Sequence, residues 1–208
     1  MKVALVLYPG FTALDVVGPF QVLAAAPGVD TMLVAHQLGS VADDTARCPL
    51  VATATFSDVP APDVVVVPGS ELGLDLDPVV VAWLRRAHAT TSWTASVGTG
   101  ASYLAAAGVL VGKEATTHWA SPARMGEAGV QWSSRRVVQD GRVITAAGST
   151  AGIDMALTLL GLSHGPAVAQ AVQLALEYDP EPPYDAGSPA KAPHQISDLV
   201  TTYYARRV

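Results

Sequence analysis

Residues 64–67 are four consecutive valines, entered from Asp63 and left through Pro68 and Gly69. A strand that is apolar on both faces must be covered on both faces, and this is the position of a central strand in a parallel sheet flanked by helices. The rest of the chain follows the same grammar. Short β-branched runs at 3–7, 31–36, 64–67 and 94–97 alternate with helically spaced stretches at 14–26, 78–88 and 101–107. Such alternation calls for right-handed crossovers and predicts an α/β fold, a doubly wound, mostly parallel sheet with helices on both faces.

Residues 136–147 carry apolar residues on both sides of Asp140-Gly141, a turn pair that accepts positive φ, and are expected to add a hairpin to the sheet. Two late helices are expected over 150–162 and 166–178. The segment 179–193, rich in proline, cannot be regular helix or central strand, so it should run over the surface to a short last helix near 196–206. The whole length of 208 residues is expected to form one domain, with 179–208 as its surface segment and terminal helix.

A net charge of -6, with Lys and Arg scattered, offers no basic stripe for phosphate contacts, so no nucleic-acid partner is expected. Met1 leads directly into the first strand without a signal-peptide pattern, and no apolar run approaches roughly 18 residues. The expectation is a cytoplasmic protein with no membrane partner. Cys48, the single cysteine, has no partner for a disulfide; beside Pro49 it reads more readily as structural than as reactive. Histidines 36, 88, 118, 164 and 194 show no metal-ligand spacing, and no metal is expected.

Sites in doubly wound sheets form outside the carboxyl ends of the strands, which directs attention to the loops after residues 7, 67, 97 and 147. The third is the most informative. An apolar strand runs through Ser96 and Val97 into Gly98-Thr99-Gly100-Ala101 and at once into a helix, the layout of a nucleophile elbow with Gly98 at its apex. Taken alone, the same motif also fits a tight turn without chemistry. The dinucleotide pattern fails at Tyr103, and no phosphate-loop lysine follows.

Five segments carry a wider likeness: LDVVGPFQVL at 14–23, VVVPG at 65–69, SVGTGASYLAAAGVLVGKEATTHWA at 96–120, DGRVITAAGSTAGIDMALTL at 140–159 and LALEYDPEPPYDAGSPAKAP at 174–193. With them the chain resembles isonitrile hydratase-like members of the PfpI, class I glutamine amidotransferase-like superfamily. The resemblance implies a flavodoxin-like sheet, a homodimer, a small-molecule substrate, and hydration of an isonitrile to an N-substituted formamide without metal or organic cofactor. It also implies a cysteine thiolate at the elbow, and here Gly98 stands in that place. Asp15 matches the acid and base, Thr99 the residue after the nucleophile, and Gly69 and Ser70 the backbone donors facing the elbow. Gln21 sits where superfamily members commonly carry an acidic residue bonded to the thiol.

Those roles have physical grounds. A carboxylate shielded by apolar neighbours is raised toward neutrality and can then exchange protons near neutral pH. Backbone N–H groups at Ser70 and Thr99 can stabilise developing negative charge. Glycine at the apex excludes a covalent intermediate. The chain is then either a hydratase in which cysteine has been replaced, or a paralogue performing non-covalent hydratase, lyase or cyclase chemistry with Asp15; Gln21 favours the paralogue. The alternative is a catalytically dead ligand-binding or regulatory module. His118 either orients substrate or satisfies a backbone carbonyl, the latter preferred, and Trp119 is expected to wall the pocket. Asp154, in the first turn of a helix, reads as a cap rather than a catalytic group.

Overall fold

The computed structural model describes residues 1–71, 75–121 and 129–205. In chain order the elements are β1 (Lys2–Val6), α1 (Ala13–Ala24), β2 (Asp30–Ala35), β3 (Gly39–Val41), β4 (Leu50–Ala52), β5 (Ala54–Thr55), β6 (Val64–Val67), α2 (Pro78–His88) and β7 (Trp93–Val97). A single 3-10 turn, Gly98–Gly100, leads into α3 (Ala101–Ala106). Then follow β8 (Glu114–Ala115), β9 (Gln131–Trp132), β10 (Val137–Asp140), β11 (Val143–Ala146), α4 (Ala151–His164), α5 (Pro166–Ala175) and α6 (His194–Ala205).

Seven strands make the main sheet in the order β10-β11-β7-β6-β1-β2-β5. All pairs are parallel except β10 with β11, the hairpin expected at Asp140-Gly141, where Gly141 supplies φ 59°. The four valines of β6 are all buried, lying between β1 and β7. Helices α1 and α4 pack together, as do α2 and α3. Consecutive crossovers lead from β1 to β2 in one direction and from β6 to β7 in the other, so the two helix pairs cover opposite faces and the order reverses beside β1.

Local chemistry accounts for the helix starts. Asp77 caps α2 by accepting from the Val79 N–H at 2.8 Å, and Pro78 occupies the first turn, where its missing N–H costs nothing. The periodic pattern does not reveal β3 and β4, a separate antiparallel ribbon, nor the two-residue pairs β8 and β9. Runs this short carry no readable alternation. The loop joining β3 to β4 is held by buried Asp43, whose carboxylate accepts from the Thr45 hydroxyl and from the Arg47 and Cys48 N–H groups. Cys48 therefore contributes its backbone to the loop, while its thiol stays exposed.

Residues 179–193 form no helix or strand, as the prolines require, and α6 begins after them with no buried residue of its own. Among the described residues no helix is long and apolar enough to cross a membrane.

Candidate active site

Helix α1 buries Asp15, Val16, Gly18, Pro19, Val22 and Leu23. These positions trace one face at helical spacing, so Asp15 occupies a place in the stripe that ordinarily belongs to an aliphatic residue. Its carboxyl is carried to the carboxyl edge of the sheet. There it meets the ends of β6 and β7, because β1, β6 and β7 run parallel and in register.

Asp15 is 3% exposed. Its Oδ2 accepts the Gly69 N–H at 2.8 Å, while Oδ1, equally buried, has no hydrogen-bond partner among the described residues. Burial pushes the Asp15 carboxyl up to about 6, and the nearby charges of Asp44 and Glu71 push the same way, against the Ser149 side chain and the Gly69 N–H. The positive end of α1 favours ionisation by about 0.3–1 kcal/mol, which is small beside desolvation. With Oδ2 fixed as an acceptor by the Gly69 N–H, the proton of the neutral acid resides on Oδ1.

Gly98 faces this carboxyl from the end of β7. It is buried, has φ 56°, and an added Cβ would stand 3.2 Å from Asp15 Oδ2 and 3.9 Å from the Ala147 carbonyl oxygen. The strained elbow conformation expected from the sequence is present, and glycine adopts it without cost. The Thr117 hydroxyl anchors the Gly98 carbonyl at 2.9 Å.

Thr99 and the 69–70 loop are laced together differently from the expected arrangement. The Ser70 N–H donates to Thr99 Oγ1 at 2.9 Å, and that hydroxyl donates back to the Ser70 carbonyl at 3.0 Å. One N–H carries one hydrogen, so the Ser70 donor is already spent within the loop. It does not serve as the free charge-stabilising group read from the sequence. The Gly69 N–H is likewise committed to Asp15, and the Gly69 carbonyl accepts the Thr12 N–H at 2.8 Å.

Gln21 requires a correction. It is exposed, and at six residues beyond Asp15 it lies on a different face of α1, so it is no replacement for an acid at the apex. The inference that it favours a paralogue falls with it. Gln21→Ala is expected to leave stability within about 0.5 kcal/mol of wild type, measured by urea unfolding, with turnover unchanged.

Asp154 lies in the first turn of α4, as expected, and has contacts beyond its helix as well. The N-cap residue of α4, Thr150, makes no side-chain cap bond, while Asp154 is paired with the Arg136 guanidinium and accepts the Tyr178 hydroxyl at 2.7 Å. The cluster ties β10 to α4 and to the chain beyond α5.

His118 borders the site beside Gly148, whose added Cβ would lie 3.8 Å from His118 Cδ2. Its Nδ1 accepts the Ala120 N–H at 3.3 Å rather than donating to a carbonyl, and burial lowers its pKa, which leaves it neutral at pH near 7. The Tyr204 ring of α6 covers it edge-on at 5.1 Å. Trp119 does line a cleft, but one shared with Ile196, Val200 and the 186–189 segment rather than with Asp15.

Sequence reasoning missed Asp44. It reaches the site from the β3–β4 loop, where its Oδ2 accepts the Thr12 hydroxyl at 2.5 Å and the Glu71 N–H at 3.3 Å. No motif announces it. The contact exists because residues 42–44 pair with the chain just after β1.

The sequence profile of the DJ-1/PfpI family matches residues 1–162. The chain belongs to the DJ-1/PfpI family. Within it, the chain is 41% identical to isonitrile hydratase of Pseudomonas putida, over 95% of this chain and 87% of that protein. A THiJ/PfpI family protein from Pseudomonas syringae superposes with TM-score 0.94 at 33% identity, covering 99% of this chain and 86% of that one. A partial likeness, 38% identity over 50% of this chain and 32% of the other, relates it to the HTH-type transcriptional regulator CdhR of Pseudomonas aeruginosa. This DJ-1/PfpI member is thus isonitrile hydratase-like, and its sheet is the flavodoxin-like α/β architecture of its neighbours.

Proposed function

We propose that this chain hydrates a small isonitrile without a protein nucleophile, using Asp15 as both acid and base. The observation that carries the reading is the buried Asp15 carboxyl, raised to about 6 and held by one oxygen while the other has no partner among the described residues. The substrate class is taken from the isonitrile hydratase relative. The resemblance sets Gly98 where that chemistry uses a cysteine thiolate, and glycine has no atom to add to the substrate.

Neutral Asp15 gives its proton to the terminal isonitrile carbon, forming the C–H bond and leaving a nitrilium ion beside the new carboxylate. A water oxygen then bonds to that carbon, and the proton it releases returns to Asp15. The resulting formimidic acid tautomerises to the formamide. Atoms balance as isonitrile plus water, with the catalyst regenerated and no redox change. The Thr99 N–H, at the start of the elbow turn, is the backbone donor that remains from the expected pair after the Ser70 N–H is assigned to Thr99 Oγ1.

The test is to incubate the purified protein with alkyl and aryl isonitriles and measure formamide above the buffer rate. Product supports the reading. Thermal stabilisation by the isonitriles without product would instead favour a ligand-binding module, the reading to which the partial likeness to CdhR lends weight. We further propose that two copies pair. Leu174 on α5 is 81% exposed, and Leu162 near the end of α4 adds a further exposed apolar side chain. Light scattering is expected to give twice the monomer mass, and Leu174→Glu to reduce it.

A further inference from the structure

We infer that the reacting water is seated at Gly98, between the Asp15 carboxyl and the carbonyl oxygen of Ala147, and that glycine at this position makes solvent the nucleophile. The inference rests on the reading of Asp15 as acid and base, and its geometric part is testable without that reading.

In the direction a Gly98 side chain would take, the nearest atoms are both oxygens, Asp15 Oδ2 at 3.2 Å and the Ala147 carbonyl oxygen at 3.9 Å from the Cβ position. When Asp15 is ionised both are acceptors. A group placed just beyond that position must therefore donate two hydrogens, and an anion is repelled by both walls. Water satisfies the demand with both of its O–H bonds and keeps its lone pairs for a third direction, toward an electrophilic carbon.

The segments around this place are fixed before any ligand arrives. The Gly69 N–H holds Asp15 Oδ2, the Thr117 hydroxyl holds the Gly98 carbonyl, and the Ala147 N–H donates to the Arg136 carbonyl at 2.9 Å. Fixed partners of this kind orient a reactant at little cost during the reaction. The carboxyl also has capacity to spare. Oδ1 is buried without a hydrogen-bond partner among the described residues, and buried polar atoms are ordinarily satisfied by protein or by ordered water. The same place serves both halves of the reaction. A proton leaves the carboxyl for the substrate carbon, and the water beside it then adds to that carbon and returns a proton to the carboxylate.

The decisive variant is Gly98→Ala, whose methyl group takes the space nearest Asp15. High-resolution crystal structures of wild type and variant are expected to show solvent density within hydrogen-bond distance of Asp15 and the Ala147 carbonyl in the first and none there in the second. Hydration is expected to fall about 100-fold or more in the variant, the scale of losing a positioned reactant. Absence of solvent density at that place in the wild-type crystal overturns the inference whatever the activity. An active Gly98→Ala variant beside an inactive Asp15→Asn variant overturns it while sparing the reading of Asp15. If no isonitrile is hydrated but the water is present in wild type and lost from the variant, the functional reading fails and the water site stands.

Discussion

Replacing Asp15 with asparagine is expected to lower isonitrile hydration by about 10²–10⁴-fold, the usual contribution of a positioned acid or base, and to make the protein more stable at neutral pH. The two effects share one cause. A carboxyl raised from 3.8 to about 6 by burial is more costly to ionise in the folded chain than in the unfolded one. That difference of about two pH units corresponds to roughly 2–3 kcal/mol of lost stability once Asp15 is fully ionised in both states.

The folded state holds its proton more tightly, so folding is favoured at low pH. The contribution is complete below the unfolded pKa near 3.8 and is lost as pH rises through about 6. Asparagine keeps a carbonyl for the Gly69 N–H and carries no charge. Urea unfolding should therefore show Asp15→Asn more stable than wild type by about 2 kcal/mol above pH about 7, with the gap closing by pH about 4. In wild type, kcat/KM for hydration should be level below about 6 and fall tenfold per pH unit above it, because proton delivery needs the neutral acid. Equal stability of the two proteins at every pH would mean that Asp15 is solvated in the folded protein and has no raised pKa to use.

Gly100→Ala is expected to be the most disruptive single methyl in the elbow. Gly100 has an ordinary helical backbone, φ -55° and ψ -24°, so conformational freedom is not its reason for being glycine. An added Cβ would stand 2.3 Å from the Val67 carbonyl oxygen and 2.6 Å from that of Pro68. Those are backbone atoms at the end of β6, and the Pro68 carbonyl is further pinned by the Tyr8 hydroxyl at 2.8 Å, so neither can swing aside. Relief requires the start of α3 to move off the sheet. A cost of about 3 kcal/mol or more follows, and thermal unfolding should shift down by roughly 6–12 °C.

Gly98 differs: its φ is positive, and an added Cβ would meet the tip of the Asp15 side chain at 3.2 Å, a tight contact, and the Ala147 carbonyl oxygen at 3.9 Å. Alanine there should cost about 1 kcal/mol of backbone strain, less than the backbone clash at Gly100. A Gly100→Ala protein that melts within about 2 °C of wild type would mean that the helix and strand tolerate separation. The chemical role of the elbow would then not depend on their close approach.

Much of this site was legible in the chain. The buried strands, the hairpin at Asp140-Gly141 and the elbow at Gly98 rest on short-range signals: runs of valine, helical spacing, a turn dipeptide, and the rule that sites gather at strand ends; Asp15 is singled out beside the elbow through the resemblance to isonitrile hydratase-like proteins. Each signal is written within about a dozen residues, the reach of local backbone geometry.

What the tertiary structure alone decided is where side chains and hydrogens go once distant segments meet. Gln21 faces solvent because α1 turns it away from the sheet. The Ser70 N–H is consumed by Thr99, 29 residues on, and Asp154, in the first turn of its helix, is also bound by Arg136 and Tyr178. Asp15 becomes a usable acid because a partner 54 residues away fixes one oxygen, the fold removes water from both, and Asp44 arrives from a loop with no motif of its own. Sequence determines which groups are near a strand end; desolvation and the assignment of each hydrogen depend on the sum of contacts across the whole fold, and only the folded chain contains that sum.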